Sequence, residues 1–569
     1  PNKEKITLLD EVGAIYRDKL ANPQKATAAY VEALEFTPDD HQLLQKLLDL
    51  YTETKQWRKV VETIERFVAL EADPIRKAAY HQAAATICRD ELKSLDEAVD
   101  YYNLALDAFF SSDRLTDAQV PRALKAFESI DRILTSKKDW KAQERAYRDM
   151  VKRLPQNDNP VLHKVRVGLL DGLGEIYRSR LKNFQTATEV FQFAQQLDPK
   201  NELRADGTDR AEILAELYLV AGPDYADKAV EQHMRMLRNE PFKYDSYKAL
   251  RRIYMEAHQY DKTWCLCNTL AFLKKADEEE LRFFEQYKPR GFTRAKASLT
   301  PDGWAKLVHP DENRYISSIF ATVWQSVAMM KSYPHKDAGI KRKDKLALPG
   351  ELMFSKLFYY AAQVLNVQPP EVFLVADNKP ADIQLGNFSE KDQLIPSFVV
   401  RPHLLQGKSE REVAFLSARR LTYLRPEYYL KLLLPTNTEL KIAMLSAIAL
   451  VNPRFPLPPD SVQLVQQYMP EMQKRIPPHV LEQLAVVVNR FIQASPEINL
   501  AAWGHAVDAV SHRTGFLICG DLEVAARMVS AEPVIVGGPQ VKDKIKELVL
   551  YSISEEYFAV RAMMSLTIA

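Results

Sequence analysis

Any chemistry in this chain would have to come from a few polar residues near its C-terminal end. The stretch Ser409 to Pro426 carries Arg419, Arg420 and Tyr423. Arginine does not lose its proton in a protein, so Arg419 is no metal ligand and Arg420 no base at neutral pH. Tyr423 could ligate only as a phenolate, with its pKa drawn down from about 10. Further on, Asp508 and His512 are four apart. They share a helix face and could hold a metal weakly, two or three ligands short of a zinc site. Ser511 beside His512 is no triad, because sequence neighbours point apart and no nucleophile elbow supports them. His403 precedes the Ser409 stretch and reads as a surface or capping residue. Gly537-Gly538 lacks the context of a phosphate loop. Cys265 and Cys267 are two apart, face different sides of a helix and read as core thiols. No metal and no cofactor is expected.

Those residues need elements to hold them. In Ser409–Pro426, Val413, Phe415, Leu416, Leu421 and Leu424 make a helical apolar stripe. Ser409 with Glu412 forms a capping box and Pro426 stops the helix. Strand-like runs at Val372–Ala376 and Phe398–Arg401 lie upstream. The whole chain has 569 residues, enough for three or four domains. Its 77 basic and 76 acidic residues leave no global field toward nucleic acid or membrane. Only 17 Gly against 25 Tyr suits a helix-rich protein. The basic run Lys341–Lys345 has no interleaved aromatics and reads as a solvated loop. No apolar run is long enough to span a membrane. Four cysteines argue against a disulfide framework, and the expected location is the cytoplasm. The chain starts at Pro1 without a signal peptide or initiator Met, as if cut from a longer protein, so upstream targeting signals stay open.

The first half repeats itself. Gly13-Ala14-Ile15-Tyr16-Arg17 returns as Gly174-Glu175-Ile176-Tyr177-Arg178, and Leu20, Asn22, Gln24, Ala26 and Thr27 return as Leu181, Asn183, Gln185, Ala187 and Thr188. The pattern resembles the tetratricopeptide repeat. Its Gly and Tyr on helix A, then Ala, aromatic, Ala and Pro on helix B, correspond to Gly13, Tyr16, Ala26, Tyr30, Ala33 and Pro38. The second good copy has Gly174, Tyr177, Ala187, Phe191, Ala194 and Pro199. Both copies have one extra residue in the turn relative to the family pattern. Weaker copies bring the count to about seven over residues 1–280, with 114–158 as one elongated repeat. The resemblance implies an α-solenoid whose concave face binds protein partners, and polar residues of helix A, such as Arg17 and Arg178, are the candidates for that contact.

The second half resembles the M48-type (gluzincin) metallopeptidases. There an active helix opens E-L-A-F and carries H-E-x-x-H; here Glu412-Val413-Ala414-Phe415-Leu416 opens the helix and Arg419, Arg420 and Tyr423 occupy the motif's chemical positions. Two His at i and i+4 would grip zinc, with the Glu as general base, and all three are replaced. The segment Asp508–Gly515 is similar to the family's third-ligand helix, with Asp508 at its Glu position and His512 at its Asp position. Helix 351–365, strands at 370–375, 382–388 and 397–400, and a short apolar element at 402–405 complete the resemblance. The expectation is therefore a mostly α protein: a tetratricopeptide solenoid (1–280), a helical connector (281–349) and an inactive peptidase-like α+β domain (350–569), as in very large bacterial repeat proteins. It reads as a non-catalytic scaffold with protein partners, no nucleic acid and no membrane span. The alternative is a zinc metallopeptidase whose substrates the repeats present.

Overall fold

The computed structural model describes residues 2–111, 116–155, 159–200, 204, 207–376, 383–494, 497–533 and 538–568. Pro1, Asp382, Gly537, and 114–115 and 156–158 of the expected elongated repeat lie outside the described residues. The chain is mostly α-helical, with one small sheet, and divides into two compact units, 1–232 and 233–569. Residues 233–280, which the repeat spacing counts with the array, belong to the second unit. No helix among the described residues is long and apolar enough to cross a membrane.

Helices come in pairs: α1 (Asn2–Asp18) and α2 (Pro23–Phe36), α3 (His41–Glu53) and α4 (Trp57–Leu70), α5 (Pro74–Asp90) and α6 (Leu95–Phe110), α7 (Val120–Lys137) and α8 (Trp140–Arg153), α9 (Pro160–Glu175) and α10 (Phe184–Leu197); α11 (Arg210–Ala221) and α12 (Ala226–Asn239) follow, then the pair α13 (Tyr244–Glu256) and α14 (Tyr260–Phe272). Within the first unit each helix from α1 to α10 packs on the next, as in a solenoid whose repeats bury their apolar faces only by stacking. A left-handed residue ends the first helix of each of the first five pairs: Ala21, Lys55, Lys93, Lys138 and Lys182, with φ between 46° and 56°. Asn22, Asp139 and Asn183 then cap the next helix through their side-chain oxygens.

The extra residue of the two good copies has a definite place. The Leu20 N–H reaches back to Ile15 C=O and the Leu181 N–H to Ile176 C=O. These are wide i→i+5 bonds, and in the second copy they form a π-helical turn, Ile176–Arg180. The turn then closes by Asn22 N–H on Tyr16 C=O and Asn183 N–H on Tyr177 C=O. The second and fourth pairs, without the insertion, close one residue earlier, Gln56 on Tyr51 and Asp139 on Leu134.

In the second unit α13 and α14 are followed by α15 (Glu278–Tyr287), α16 (Pro301–Ala305), α17 (Arg314–Met330) and α18 (Met353–Val364). Three strands come next, β1 (Glu371–Leu374), β2 (Gln384–Glu390) and β3 (Gln393–Val400), ordered β1-β3-β2 with β1 parallel and β2 antiparallel to β3. The β2–β3 hairpin turns through Lys391 and Asp392, both at positive φ, as a two-residue loop between right-twisted strands requires. A short 3₁₀ turn, Pro402–Leu404, leads into α19 (Glu410–Thr422). Then follow α20 (Tyr429–Leu433), α21 (Asn437–Val451), α22 (Val462–Gln473), α23 (Pro478–Ala494), α24 (Leu500–Cys519), α25 (Leu522–Ser530), α26 (Val541–Ser552) and α27 (Glu555–Met563). The closest helix pairing of this unit is α19 with α24. It is close because Gly515 has no side chain: a Cβ there would lie 2.8 Å from the Phe415 ring.

Candidate functional site

Two places collect the residues that the sequence singles out. In the first unit, Gly13 faces Tyr30 so tightly that an added Cβ would lie 2.4 Å from the ring, and Gly174 faces Phe191 with a Cβ at 2.8 Å. Both rings are buried, so glycine is what lets helix A approach helix B. Tyr16 and Tyr177 are both half-buried. Tyr177 donates to Glu144 (2.5 Å), and burial together with that carboxylate pushes its phenol up to about 12. Arg17 pairs with Glu53 of α3, and Arg178 pairs with Glu175 and with Glu216 of α11 (3.2 Å). Both arginines thus tie one pair to the next, with 27% and 33% of the side chain exposed. Asp10 and Asp171 occupy matching positions and do the same, to Lys46 and to Arg210. The Arg210 guanidinium is buried, bidentate on Asp171 (2.8 and 2.9 Å) and 3.2 Å from Asp198.

The second place lies on α19 and α24. The capping box is formed: the Ser409 hydroxyl receives the Glu412 N–H and the Glu412 carboxylate receives the Ser409 N–H. Tyr423, at the C-terminal end of α19, donates to Asp508 Oδ1 of α24 at 2.6 Å. Its oxygen is 3.2 Å from Ser511 Oγ, and Ser511 donates to the Asp508 carbonyl. Burial and the Asp508 charge push the phenol far above its ordinary value. Tyr423 is therefore a fixed proton donor, the opposite of the phenolate that a metal would need. Lys431 of α20 lies 3.6 Å from the other Asp508 oxygen.

Arg419 and His512 meet on a residue that no motif marked. Glu532, just past α25, takes Arg419 Nη2 at 2.8 Å and His512 Nε2 at 2.8 Å on one oxygen, and Lys544 of α26 at 2.9 Å on the other. Burial opposes the ionisation of Glu532, but the His512 hydrogen bond and the charges of His512 and Arg419, with the Lys544 hydrogen bond, outweigh it and hold the carboxyl well below its usual range. Arg420 is half-buried on the same turn as Arg419. The donor set does not fit a zinc ion: Arg419 and Arg420 are permanent cations and Tyr423 is a neutral donor, and among the described residues no three His, Cys, Asp or Glu side chains converge on a possible metal position. What the arrangement does chemically is neutralise charge. One half-buried acid accepts from a phenol, and another from three nitrogen donors.

No protein-family model matches the chain, and no curated protein matches it. Among solved structures it is similar to the MamA protein (17% identity over 35% of this chain and 94% of that one, TM-score 0.19). It is also similar to a tetratricopeptide repeat protein from Parabacteroides merdae (11%, 50% and 98%, TM-score 0.18) and to Pseudomonas aeruginosa pilF (13%, 43% and 97%, TM-score 0.19). The stacked helix pairs make the first unit an α-solenoid.

Beside Asp508 and His512 a cavity of about 590 Å³ opens, lined among others by His309, Lys431, His505, Lys544 and Glu547. Glu547 is held below its usual range: burial opposes its ionisation, and the His309 hydrogen bond and the Arg513 charge prevail. Gly538 also lines this cavity. The remaining candidates lie elsewhere. His403 is exposed on its 3₁₀ turn. Arg342 and Lys345 of the basic run pair with Glu390 and Glu371 of the sheet. Cys265 and Cys267 are buried free thiols, pushed up to about 12 by burial. Glu532, Lys544 and Lys431 carry no local sequence signal; only the need of a half-buried Arg419 and a buried His512 for a hydrogen-bonding partner points to an acid such as Glu532.

Proposed function

We propose that this protein is a non-catalytic scaffold that binds protein partners through its helix-pair array and uses a peptidase-like second half as a further binding or structural module. The observation that carries the reading is the Tyr423–Asp508 hydrogen bond together with Arg419 and His512 on Glu532. Protein contacts fill the place where a peptidase of this type would hold its ion. The order α18, β1, β2, β3, α19, then α24 closing against α19, supports the peptidase-like reading of 350–569. Arg17 and Arg178 could reach a partner's carboxylate only by exchanging their present acids. This makes them candidates for contacts that alter the spacing of neighbouring pairs.

Elemental analysis separates this from the zinc peptidase alternative. The purified chain is expected to carry no stoichiometric zinc, and chelator is expected to leave its melting temperature unchanged; about one zinc per chain would overturn the reading. The triple variant Arg419→His, Arg420→Glu, Tyr423→His restores the missing ligands in front of Asp508. It is expected to gain about one zinc per chain, since two histidines at i and i+4 with a third-helix carboxylate make the usual three-ligand site. A folded triple variant that binds none would show that α19 and α24 are not a peptidase pair.

A further inference from the structure

The cavity beside Asp508 has donors in excess of acceptors. Its α24 wall is built from small residues, Ala502, Ala506 and Ala509, and α20, the start of α21 and α26 supply the rest. Among the described residues none from Ser409 to Pro426 lines it, so it is a different place from the Arg419–Tyr423 turn. Gly504 lets the Lys431 stem lie on α24: a Cβ there would be 3.1 Å from Lys431 Cε. The Lys431 ammonium stands 3.6 Å from Asp508, outside hydrogen-bond reach, and among the described residues nothing accepts a hydrogen bond from it. Lys544 donates one of its three N–H groups, to Glu532. The two lysine side chains are only 19% and 13% exposed. His505 is half-buried, and its imidazole has no hydrogen-bond partner among the described residues. Burial holds it below its ordinary value, Asp508 opposing and the Lys431 and Lys544 charges adding to the effect. At neutral pH it is therefore an uncharged ring with one N–H to give. The acids have their partners already: Tyr423 and Lys431 for Asp508, Arg513 and His309 for Glu547. His309 turns a protonated Nε2 to Glu547 because its Nδ1 accepts the Asp311 N–H.

We infer that this cavity binds a singly charged carboxylate on a small apolar body, held by Lys431, Lys544 and His505. Sheltered donors without acceptors are costly, and one carboxylate entering here supplies acceptors to all three, which face the same space. Asp508 and Glu547 on the wall, with the more exposed Asp311 and Asp543, oppose a dianion such as phosphate at neutral pH. The alanines take the apolar body, and about 590 Å³ is the size of a small-molecule site rather than of a single ion. A free organic acid and the C-terminal carboxylate of a peptide both carry this chemistry. The site stands whether or not the second half is related to a peptidase.

The test titrates the full chain with hexanoate and with N-acetyl-dialanine, each against its own primary amide, and with inorganic phosphate, by calorimetry. At least one acid is expected to bind with a Kd of about 1 mM or tighter, and neither amide is; the acid that binds more tightly names the source. Lys431→Met removes an ammonium and should weaken that binding about tenfold or more. Ala502→Phe fills the cavity from α24 without touching a charge and should abolish it. Either variant decides if the other fails to fold. Lys542→Met, outside the cavity, should change nothing. Failure of both acids to bind, preference for phosphate, or undiminished binding by a folded Ala502→Phe chain would overturn the inference. Zinc uptake by the triple variant is read separately and does not depend on these results.

Discussion

Replacing Gly174 by alanine puts two opposed effects on one helix, and the structure decides between them. In an unobstructed helix interior Gly→Ala stabilises by about 1 kcal/mol. Gly168, on the same helix, meets nothing within 4 Å of an added Cβ, so Gly168→Ala is expected to show that gain. At Gly174 the new Cβ would stand 2.8 Å from two carbons of the Phe191 ring, well inside the roughly 3.5–4.0 Å of a favourable carbon contact. Phe191 is fully buried, with the Arg204 guanidinium 5.8 Å from its ring centre, so it has little room to retreat. Overpacking of this kind costs about 1–3 kcal/mol. The net expectation for Gly174→Ala is a loss of up to about 2 kcal/mol, in place of the gain at Gly168. Urea unfolding, combined with amide exchange in α9 and α10 to localise the effect, measures it. The double variant Gly174→Ala, Phe191→Leu should recover part of the loss, with a coupling energy of at least about 1 kcal/mol. Equal stabilisation by Gly168→Ala and Gly174→Ala would refute the close-approach argument, and with it the equivalence of the two good repeats.

Arg210→Ala would leave Asp171 and Asp198 without their shared buried guanidinium. It is expected to cost about 3–5 kcal/mol, measurable by thermal unfolding, whereas replacing both Arg210 and Asp171 by apolar residues of similar size should cost less. Glu532 is held below its ordinary value of 4.5, so its contribution to stability is complete above that value and drains as pH falls from it toward the depressed one. Glu532→Gln should therefore lower the melting temperature at neutral pH and flatten its decline in acid; an unchanged acid limb would show that the Glu532 cluster does not contribute.

What could be read from the sequence was local. The Gly13/Tyr30 and Gly174/Phe191 pairs depend on spacing within one helix pair, and the capping box of α19 lies within four residues. The short turn of the β2–β3 hairpin was harder to see: Lys391-Asp392 is not the Asn-Gly or Asp-Gly that marks such turns. Nor did the helix-pair turns announce themselves, because Lys55, Lys93, Lys138 and Lys182 take a left-handed conformation that usually calls for Gly or Asn. Their strain, roughly 1–2 kcal/mol each, is overcome by tertiary packing, which a propensity reading does not include.

Burial was the other thing the sequence did not carry. Asp10–Lys46 and Asp171–Arg210 are one contact in two copies. The first sits at 37% and 33% side-chain exposure, the second at 8% and 1%. Spacing treats them alike, yet only the buried pair can leave a stranded charge when one member is lost. The same reasoning governs the α19–α24 site. Tyr423 satisfies Asp508 as a neutral donor, and Arg419, His512 and Lys544 satisfy Glu532. These contacts are best tested as a set. Tyr423→His alone removes the donor on Asp508 without supplying an ion. Arg419→His alone still leaves His512 and Lys544 on Glu532. The triple variant is therefore the informative one: Glu532 keeps two partners, Asp508 needs a cation, and zinc uptake reports whether the two helices hold the geometry for it.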